Sequence, residues 1–368
     1  MKKAIAAVLS SVLSALLLIG CGGDSAPSGD VGSDTDSLKI AMLIPGNLGD
    51  MSFFDAAASS LPLLESGLGA ETRLVEMGMD VTTWHPTFLD YCEQDFDLII
   101  TIADAVVDKL VEIAEMYPNQ KFFNIDSSLS ENIPDNIYVM VAKMGEMSFL
   151  AGLVAALKAE ELGEDTIGFI GGMDIPGINE FLIGYIDGAQ HINPDIKVAF
   201  SYVGDFSDPG RGKENALILY NSVPVIYQAA GGSGLGVFDA AKDFTARGLP
   251  RYAIGVDSDQ AMELSESDPD AANLIITSAV KQIPEYTLNA VRRFIEGEIA
   301  FGTQSFVGLK ENGVSIAKNS FYEQLLSAES RARVDDLESK LVSGELNAIN
   351  TINMPTEEVE QIRNSVRP

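Results

Sequence analysis

Residues 98–126 read LIITIADAVVDKLVEIAEMYPNQKFFNID. An unbroken apolar run at 98–102 leads into a helical stretch at 105–116. A Tyr117-Pro118 break follows, then a second apolar run at 121–125 that ends on Asp126. Aliphatic strands separated by helices of roughly 10–15 residues predict a parallel sheet covered on both faces. The alternation extends in both directions from this unit. Strands are predicted at 38–44, 71–76, 98–102, 121–125 and 137–141, and again at 166–170, 196–203, 225–230, 252–256 and 274–277. Helical patterns lie between them, at 53–64, 149–162, 178–192, 210–221 and 235–247. So many strands exceed what one lobe of about 100–150 residues holds, and the fold expected is α/β with two doubly wound parallel-sheet lobes and a hinged cleft. The first lobe is expected to take residues 38–143 with about 259–304, the second 144–258 with about 305–368. Beyond 305 the pattern changes to short extended pieces (305–309, 314–317, 348–352), an acidic helix at 320–343 and a polar surface helix at 356–365.

The chain has 368 residues, 46 % of them hydrophobic and 21 % charged, a globular composition. Its 24 Lys+Arg stand against 54 Asp+Glu, a net charge of −30, which repels phosphate backbones and excludes nucleic acid as a partner. Cys21 and Cys92 are the only thiols, and His85 and His191 the only imidazoles. They form no cluster with metal-ligand spacing, so neither a metal nor a cofactor is expected. Cys92 reads as a small buried apolar residue without a disulfide partner.

The first 20 residues form a signal peptide: Lys2 and Lys3, an apolar run from Ala4 to Gly20, then Leu18-Ile19-Gly20-Cys21. That tetrapeptide resembles the bacterial lipobox, which implies lipidation of Cys21 and a membrane tether outside the cytoplasm. Cleavage removes two lysines and no acids, taking the formal charge to −32. Residues 22–37, rich in Gly, Ser, Asp and Pro, read as a flexible acidic leash.

In doubly wound sheets, ligands bind outside the carboxyl ends of the strands. The segments that follow the predicted strands are rich in Gly, Asp, Ser and Phe, as a polar cleft requires. Gly49-Asp50-Met51-Ser52-Phe53 resembles the entry loop of the basic membrane protein family, the lipid-anchored, PnrA-like substrate-binding proteins of ABC importers. The resemblance continues through Tyr117-Pro118, residues 121–126, Ser148-Phe149-Leu150-Ala151-Gly152 and Gly168-Phe169-Ile170-Gly171-Gly172-Met173. It is strongest at residues 202–209 (YVGDFSDP) and 228–234 (QAAGGSG), and ends with Ile254–Gln260 (IGVDSDQ) and Thr277-Ser278-Ala279-Val280-Lys281.

The resemblance implies a non-enzymatic receptor that closes on a purine nucleoside and presents it to a permease. It assigns base stacking to Phe53 and Phe206, and contact with the base edge to Asp50 assisted by Ser52. Asp126 and Asp257 would accept from ribose hydroxyls, and Lys281 would donate to one. Gly231 and Gly232 would let backbone approach the ligand. Two further readings are a binding protein of the same fold for a sugar or a signalling molecule, and an extracellular nucleoside hydrolase. The first predicts Phe206 turned away from the cleft; the second calls for a cluster of N-terminal aspartates, which the Asp50 and Asp55 region lacks.

Residue by residue, simpler roles compete. Asp126 and Asp257 each precede Ser and could be helix N-caps. Phe53 and Phe206 could be ordinary core, and Phe181 is a weaker cleft candidate. The chain departs from the family pattern at Phe54, where Asn is usual, and at Ile102-Ala103-Asp104-Ala105, where a Gly-rich aromatic turn is common. Gly232-Ser233-Gly234-Leu235-Gly236 is not a dinucleotide fingerprint, and Gly212-Lys213 lacks the upstream glycine of a P-loop.

Overall fold

A computed structural model describes residues 37–127, 129–351 and 354–368. The expected signal peptide, Cys21 and the expected leash up to residue 36 lie outside the described residues, as do Ser128 and residues 352–353. The first sheet contains β1 (Lys39–Ile44), β2 (Glu71–Glu76), β3 (Leu98–Ile102), β4 (Lys121–Ile125), β5 (Ile137–Ala142) and, from far along the chain, β11 (Thr303–Val307). The second contains β6 (Thr166–Gly171), β7 (Lys197–Tyr202), β8 (Val225–Ala229), β9 (Tyr252–Asp257), β10 (Ile275–Lys281) and β12 (Val314–Ile316). The orders are β11-β5-β4-β3-β1-β2 and β12-β10-β9-β8-β6-β7. Every pairing is parallel except β10 with β12. Each sheet thus repeats the doubly wound 2-1-3-4-5 order, which reverses beside its first strand and opens a crevice there.

Sequence composition explains which strands are central. Every residue of β3 and of β8 is buried, and both strands lie within their sheets. Edge strand β2 (ETRLVE) alternates exposed and half-buried positions, and its charges discourage further strand pairing. Edge strand β7 is instead covered by the C-terminus. The Val198 N–H donates to Val366 O at 2.9 Å or less (2.8 Å), and the guanidinium groups of Arg363 and Arg367 lie 5.1 and 4.1 Å from the Phe200 ring centroid. The last helix, Thr356–Ser365, therefore lies on the surface with one face packed on the second lobe.

Helix Met144–Leu162 is apolar around most of its circumference and is buried accordingly. It packs against helix Pro176–Ile192 through glycines. A Cβ on Gly188 would stand 1.9 Å from Phe149 O, and one on Gly152 would stand 2.1 Å from Tyr185 O. No larger residue permits that approach.

The chain passes between the lobes at Lys143, at Gln282 and at residues 308–313. These segments are tied together: Lys143 N donates to Val307 O, Gln282 N to Gly313 O, and Gly313 N to Gly308 O, at 2.8–2.9 Å. The sheets correct the expected lobe boundaries. Residues 260–281 remain with the second lobe, because β10 pairs with β9 and is carried on through Lys281 rather than stopping at 277. Helix Ile283–Ile295 then packs on helix Ser60–Leu68 of the first lobe, and β11 completes the first sheet. The acidic helix expected at 320–343 is two helices, Ser320–Leu325 and Ala328–Ser343, separated by extended backbone at Leu326 and Ser327.

Candidate functional site

Four strand ends deliver the central side chains. Ser52 and Phe53 follow β1, Asp126 follows β4, Asp257 ends β9 and Lys281 ends β10. The Lys281 ammonium lies 2.8 Å from Asp126 Oδ2 and 3.4 Å from Asp257 Oδ1, with all three side chains under 10 % exposed. Burial opposes a charged lysine, and the two carboxylates outweigh it, holding the ammonium above its ordinary pKa. Ser52 Oγ donates to Asp257 Oδ2 at 2.6 Å, and the Ala142 N–H donates to Asp126 Oδ1 at 2.6 Å. Since Ser52 and Asp126 belong to the first lobe and Asp257 and Lys281 to the second, the cluster joins the lobes. Ser258 Oγ and Gln260 Nε2 reinforce it, donating to Met51 O at 2.9 and 2.8 Å.

Backbone strain gathers at the same place. Met51, Ala103, Asp126 and Asp257 have φ of 48°, 77°, 54° and 66°, and each stands beyond or at the carboxyl end of a strand. Among the described residues, Asn132 and Asn312 are the other non-glycine residues of this kind, a type that tolerates the left-handed region. Such strain persists only where surrounding contacts hold it, and it concentrates at ligand sites.

The aromatic candidates flank the charges. The Lys281 ammonium is 4.4 Å from the Phe53 ring centroid and 5.2 Å from that of Phe181. Phe53 is half-buried at the margin of the first lobe's core. Phe206 is half-buried too, and its ring covers Gly172: a Cβ there would stand 2.3 Å from ring carbons. Phe206 O accepts from Ser233 N at 3.0 Å, which fixes the Gly231–Gly234 turn against it. A Cβ on Gly232 would stand 3.8 Å from Asp50 Cα, so this turn faces the first lobe's entry loop.

Asp50 also has a structural role that the sequence did not show. Its carboxylate accepts the N–H groups of Ser52, Phe54 and Asp55 at 3.0–3.1 Å, which makes it the cap of helix Phe53–Ala58. Burial outweighs those bonds and pushes its pKa up to about 6. Asp126 and Asp257, by contrast, cap no helix; Asp259 caps the one that follows Asp257. Phe54 packs its ring on Gly46, where a Cβ would stand 2.4 Å away, and so closes the entry loop on itself. Ala103 and Asp104 form a tight turn with Asp104 exposed.

Two participants were not singled out from the sequence. Gln260 is fully buried and joins Gln228 and Val256 as well as Met51, and a polar residue after a strand gives no hint of that. Glu180 accepts from Gly145 N at 3.0 Å at the start of the helix leaving the crossover, and burial pushes it up to about 7. A cavity of about 900 Å³ lies at the crossovers, lined in part by Lys143, Glu146, Glu180, Phe306 and Glu311; Phe53, Asp126, Phe206, Asp257 and Lys281 do not line it. Among the described residues no group of three or more His, Cys, Asp or Glu is arranged to hold a metal ion.

Comparison with known proteins places this geometry in a family. The model of the PnrA-like ABC transporter substrate-binding proteins matches residues 37–349. The chain is 30 % identical over 355 residues to the ABC transporter nucleoside-binding protein BmpA of Lactococcus lactis, covering 93 % of this chain and 99 % of that one. It is 31 % identical over 332 residues to an uncharacterised lipoprotein of Pyrococcus horikoshii, covering 85 % and 77 %. Among solved structures, an ABC transporter solute-binding protein of Aeropyrum pernix superposes with a TM-score of 0.76 at 25 % identity, over 90 % of this chain and 99 % of that one. The chain therefore belongs to the Bmp family of PnrA-like ABC transporter substrate-binding proteins.

Proposed function

We propose that this protein is the extracytoplasmic receptor of an ABC importer, lipid-anchored through Cys21, and that its ligand is a purine nucleoside held between the lobes. The observation that carries the reading is the Asp126–Lys281–Asp257 cluster beneath the half-buried Phe53 ring. Ionised carboxylates accept from hydroxyls and an ammonium donates to them, which suits a ribose diol. Stacking on an aromatic face contributes about 1–3 kcal/mol per base and demands only a π surface. Phe53 and Phe206 supply such faces, and Gly231 and Gly232 bring backbone near. Ser52 acts by orienting Asp257, and Asp50 by holding the entry helix in place, with little carboxylate capacity left for the base edge.

The carboxylates outnumber the ammonium, so a neutral nucleoside fits better than a nucleotide. Closure by hinge motion about Lys143, Gln282 and residues 308–313 would deliver it to the permease. No step requires catalysis. Isothermal titration with a panel of nucleosides, free bases, nucleotides and sugars tests the ligand. A nucleoside should bind and its 5′-phosphate should bind far more weakly. Binding of a sugar alone would favour the same fold serving another ligand, and release of hypoxanthine from inosine would establish an enzyme. Replacement of Cys21 by Ser should abolish acyl labelling and release the protein from membranes.

A further inference from the structure

The last helix, Thr356–Ser365, reaches back to a loop of the second lobe. Arg363 Nη1 and Nη2 donate to the two carboxylate oxygens of Asp174 at 3.0 and 3.1 Å, and Nη1 donates to Asn179 Oδ1 at 3.3 Å. The guanidinium is largely buried, 5.1 and 5.4 Å from the Phe200 and Tyr202 ring centroids, so its fork is fixed in direction. Asn179 Nδ2 donates to Asp174 Oδ1 at 2.9 Å, and the Tyr202 hydroxyl donates to Asn179 Oδ1 at 2.6 Å. Asp174 belongs to the exposed segment 173–176 that follows β6, the strand beside which the order of the second sheet reverses.

The start of that segment is the floor beneath Phe206. A Cβ on Gly172 would stand 2.3 Å from the Phe206 ring, so the ring rests on bare backbone. Gly172 N donates to Ala229 O at 2.9 Å and Gly204 N to Gly172 O at 2.7 Å, which ties the ends of β8 and β7 to the same residue. The Tyr202 ring lies against Gly171, where a Cβ would stand 2.8 Å from a ring carbon. A run of direct contacts therefore leads from Arg363 through Asp174, Asn179 and Tyr202 to the Gly171–Gly172 backbone, and from there to Phe206. A ring held in place beforehand binds better than one that must be ordered by the ligand.

We infer that Arg363 is a positioning residue of the ligand site: by clamping Asp174 it fixes the backbone on which the Phe206 ring rests, and so sets the second lobe's stacking face. The inference rests on the reading of Phe206 as a stacking group. It adds to that reading a helix that lies beyond residues 37–349, the extent of the family match.

The test titrates inosine and hypoxanthine against the full chain, Arg363→Ala, Asp174→Ala, Phe206→Ala, and the two double variants that pair Phe206→Ala with each of the others. The helix keeps its own anchors, since Val359 and Val366 are buried and Val198 N donates to Val366 O, so Arg363→Ala should melt close to wild type. Asp174→Ala breaks the same clamp from its other side. Each clamp variant should weaken both probes about fivefold, a part of what a stacked base gains. That loss should vanish once Phe206 is Ala. Hydrogen exchange in the unliganded clamp variants should be faster than in wild type at residues 172–178 and 203–207. Unchanged affinity in either clamp variant, a loss of the same size with and without Phe206, or unchanged exchange at 203–207 overturns the role of Arg363. Equal binding of inosine by wild type and Phe206→Ala removes Phe206 from stacking, and the inference with it. If neither probe binds the wild type, the purine reading and the inference both fall.

Discussion

The Lys281 ammonium, at the end of the second lobe's β10, stands 2.8 Å from the Asp126 carboxylate beyond the first lobe's β4. A buried pair of this kind gains little net stability, because desolvating both ions offsets most of their attraction. Its value is geometric. It sets the position of one lobe against the other, and it orients the groups proposed to hold the ligand's hydroxyls. Ser52 and Asp257 repeat the arrangement with the lobes exchanged, the donor now coming from the first.

Removing the ammonium alone should therefore be expensive. Lys281→Met leaves two buried carboxylates facing each other, and unfolding free energy should fall by about 3–5 kcal/mol. Adding Asp126→Asn to that variant should restore part of the loss, because the partner charge goes with it. Urea unfolding of the two single variants and the double variant measures the coupling. Strictly additive losses would show that the pair does not act as a unit.

Asp257 accepts from Ser52 and faces Lys281, and in the proposed site it also accepts from the ribose. Asp257→Ala should weaken nucleoside binding by about 2 kcal/mol or more, the scale of a hydrogen bond to a charged group. Free base should be affected much less. Calorimetry with inosine and hypoxanthine separates the two, and equal losses would remove Asp257 from the ribose.

The sheets were legible because their central strands are continuous hydrocarbon: β3 and β8 are apolar enough to mark themselves. β11 was legible only as a short extended piece at 305–309 and not as a member of the first sheet, since TQSFV is an edge strand with polar, partly exposed positions and its partner β5 lies some 160 residues earlier in the sequence. The crossover was misplaced because Thr277 and Ser278 interrupt the apolar run of β10 and Lys281, proposed to serve the site, ends it, so strand pattern and function conflict. Lys281, Asp126 and Asp257 were readable as motif residues, and they do meet. Asp50 was readable in the same way, from the entry-loop block, but its partners are the N–H groups just after it, and local capping is invisible in a resemblance. Glu180 matters only through what tertiary packing brings near it.

Ala103 has φ 77° and ψ 157°, a region essentially confined to glycine. Its N–H still donates to Ile125 O at 2.9 Å, so pairing with β4 holds the strained turn in place. Ala103→Gly should relieve that strain at some cost in unfolded-chain entropy, and a net gain of about 1 kcal/mol is expected. The urea midpoint should rise with no change in slope. A lower midpoint would mean that the Ala103 methyl contributes packing worth more than the strain.

Glu180 carries the clearest pH signature. Burial is the main cause that lifts its carboxyl to about 7, and Asp126 adds to it, while the Gly145 N–H and Lys281 pull the other way. A carboxyl raised above its ordinary 4.5 keeps a proton in the folded protein that the unfolded chain has released. Between pH 4.5 and 7 the folded state binds more protons, so this group's contribution to stability falls as pH rises through that window. Glu180→Gln keeps an acceptor for Gly145 N and cannot titrate. The stability of the variant relative to wild type should thus grow from pH 4.5 to 7 and level off above. Asp50, raised in the same direction, is present in both proteins and cancels from the difference. Chemical denaturation of both across pH 4–8 measures that difference, and a value independent of pH would show that folding does not raise the Glu180 carboxyl.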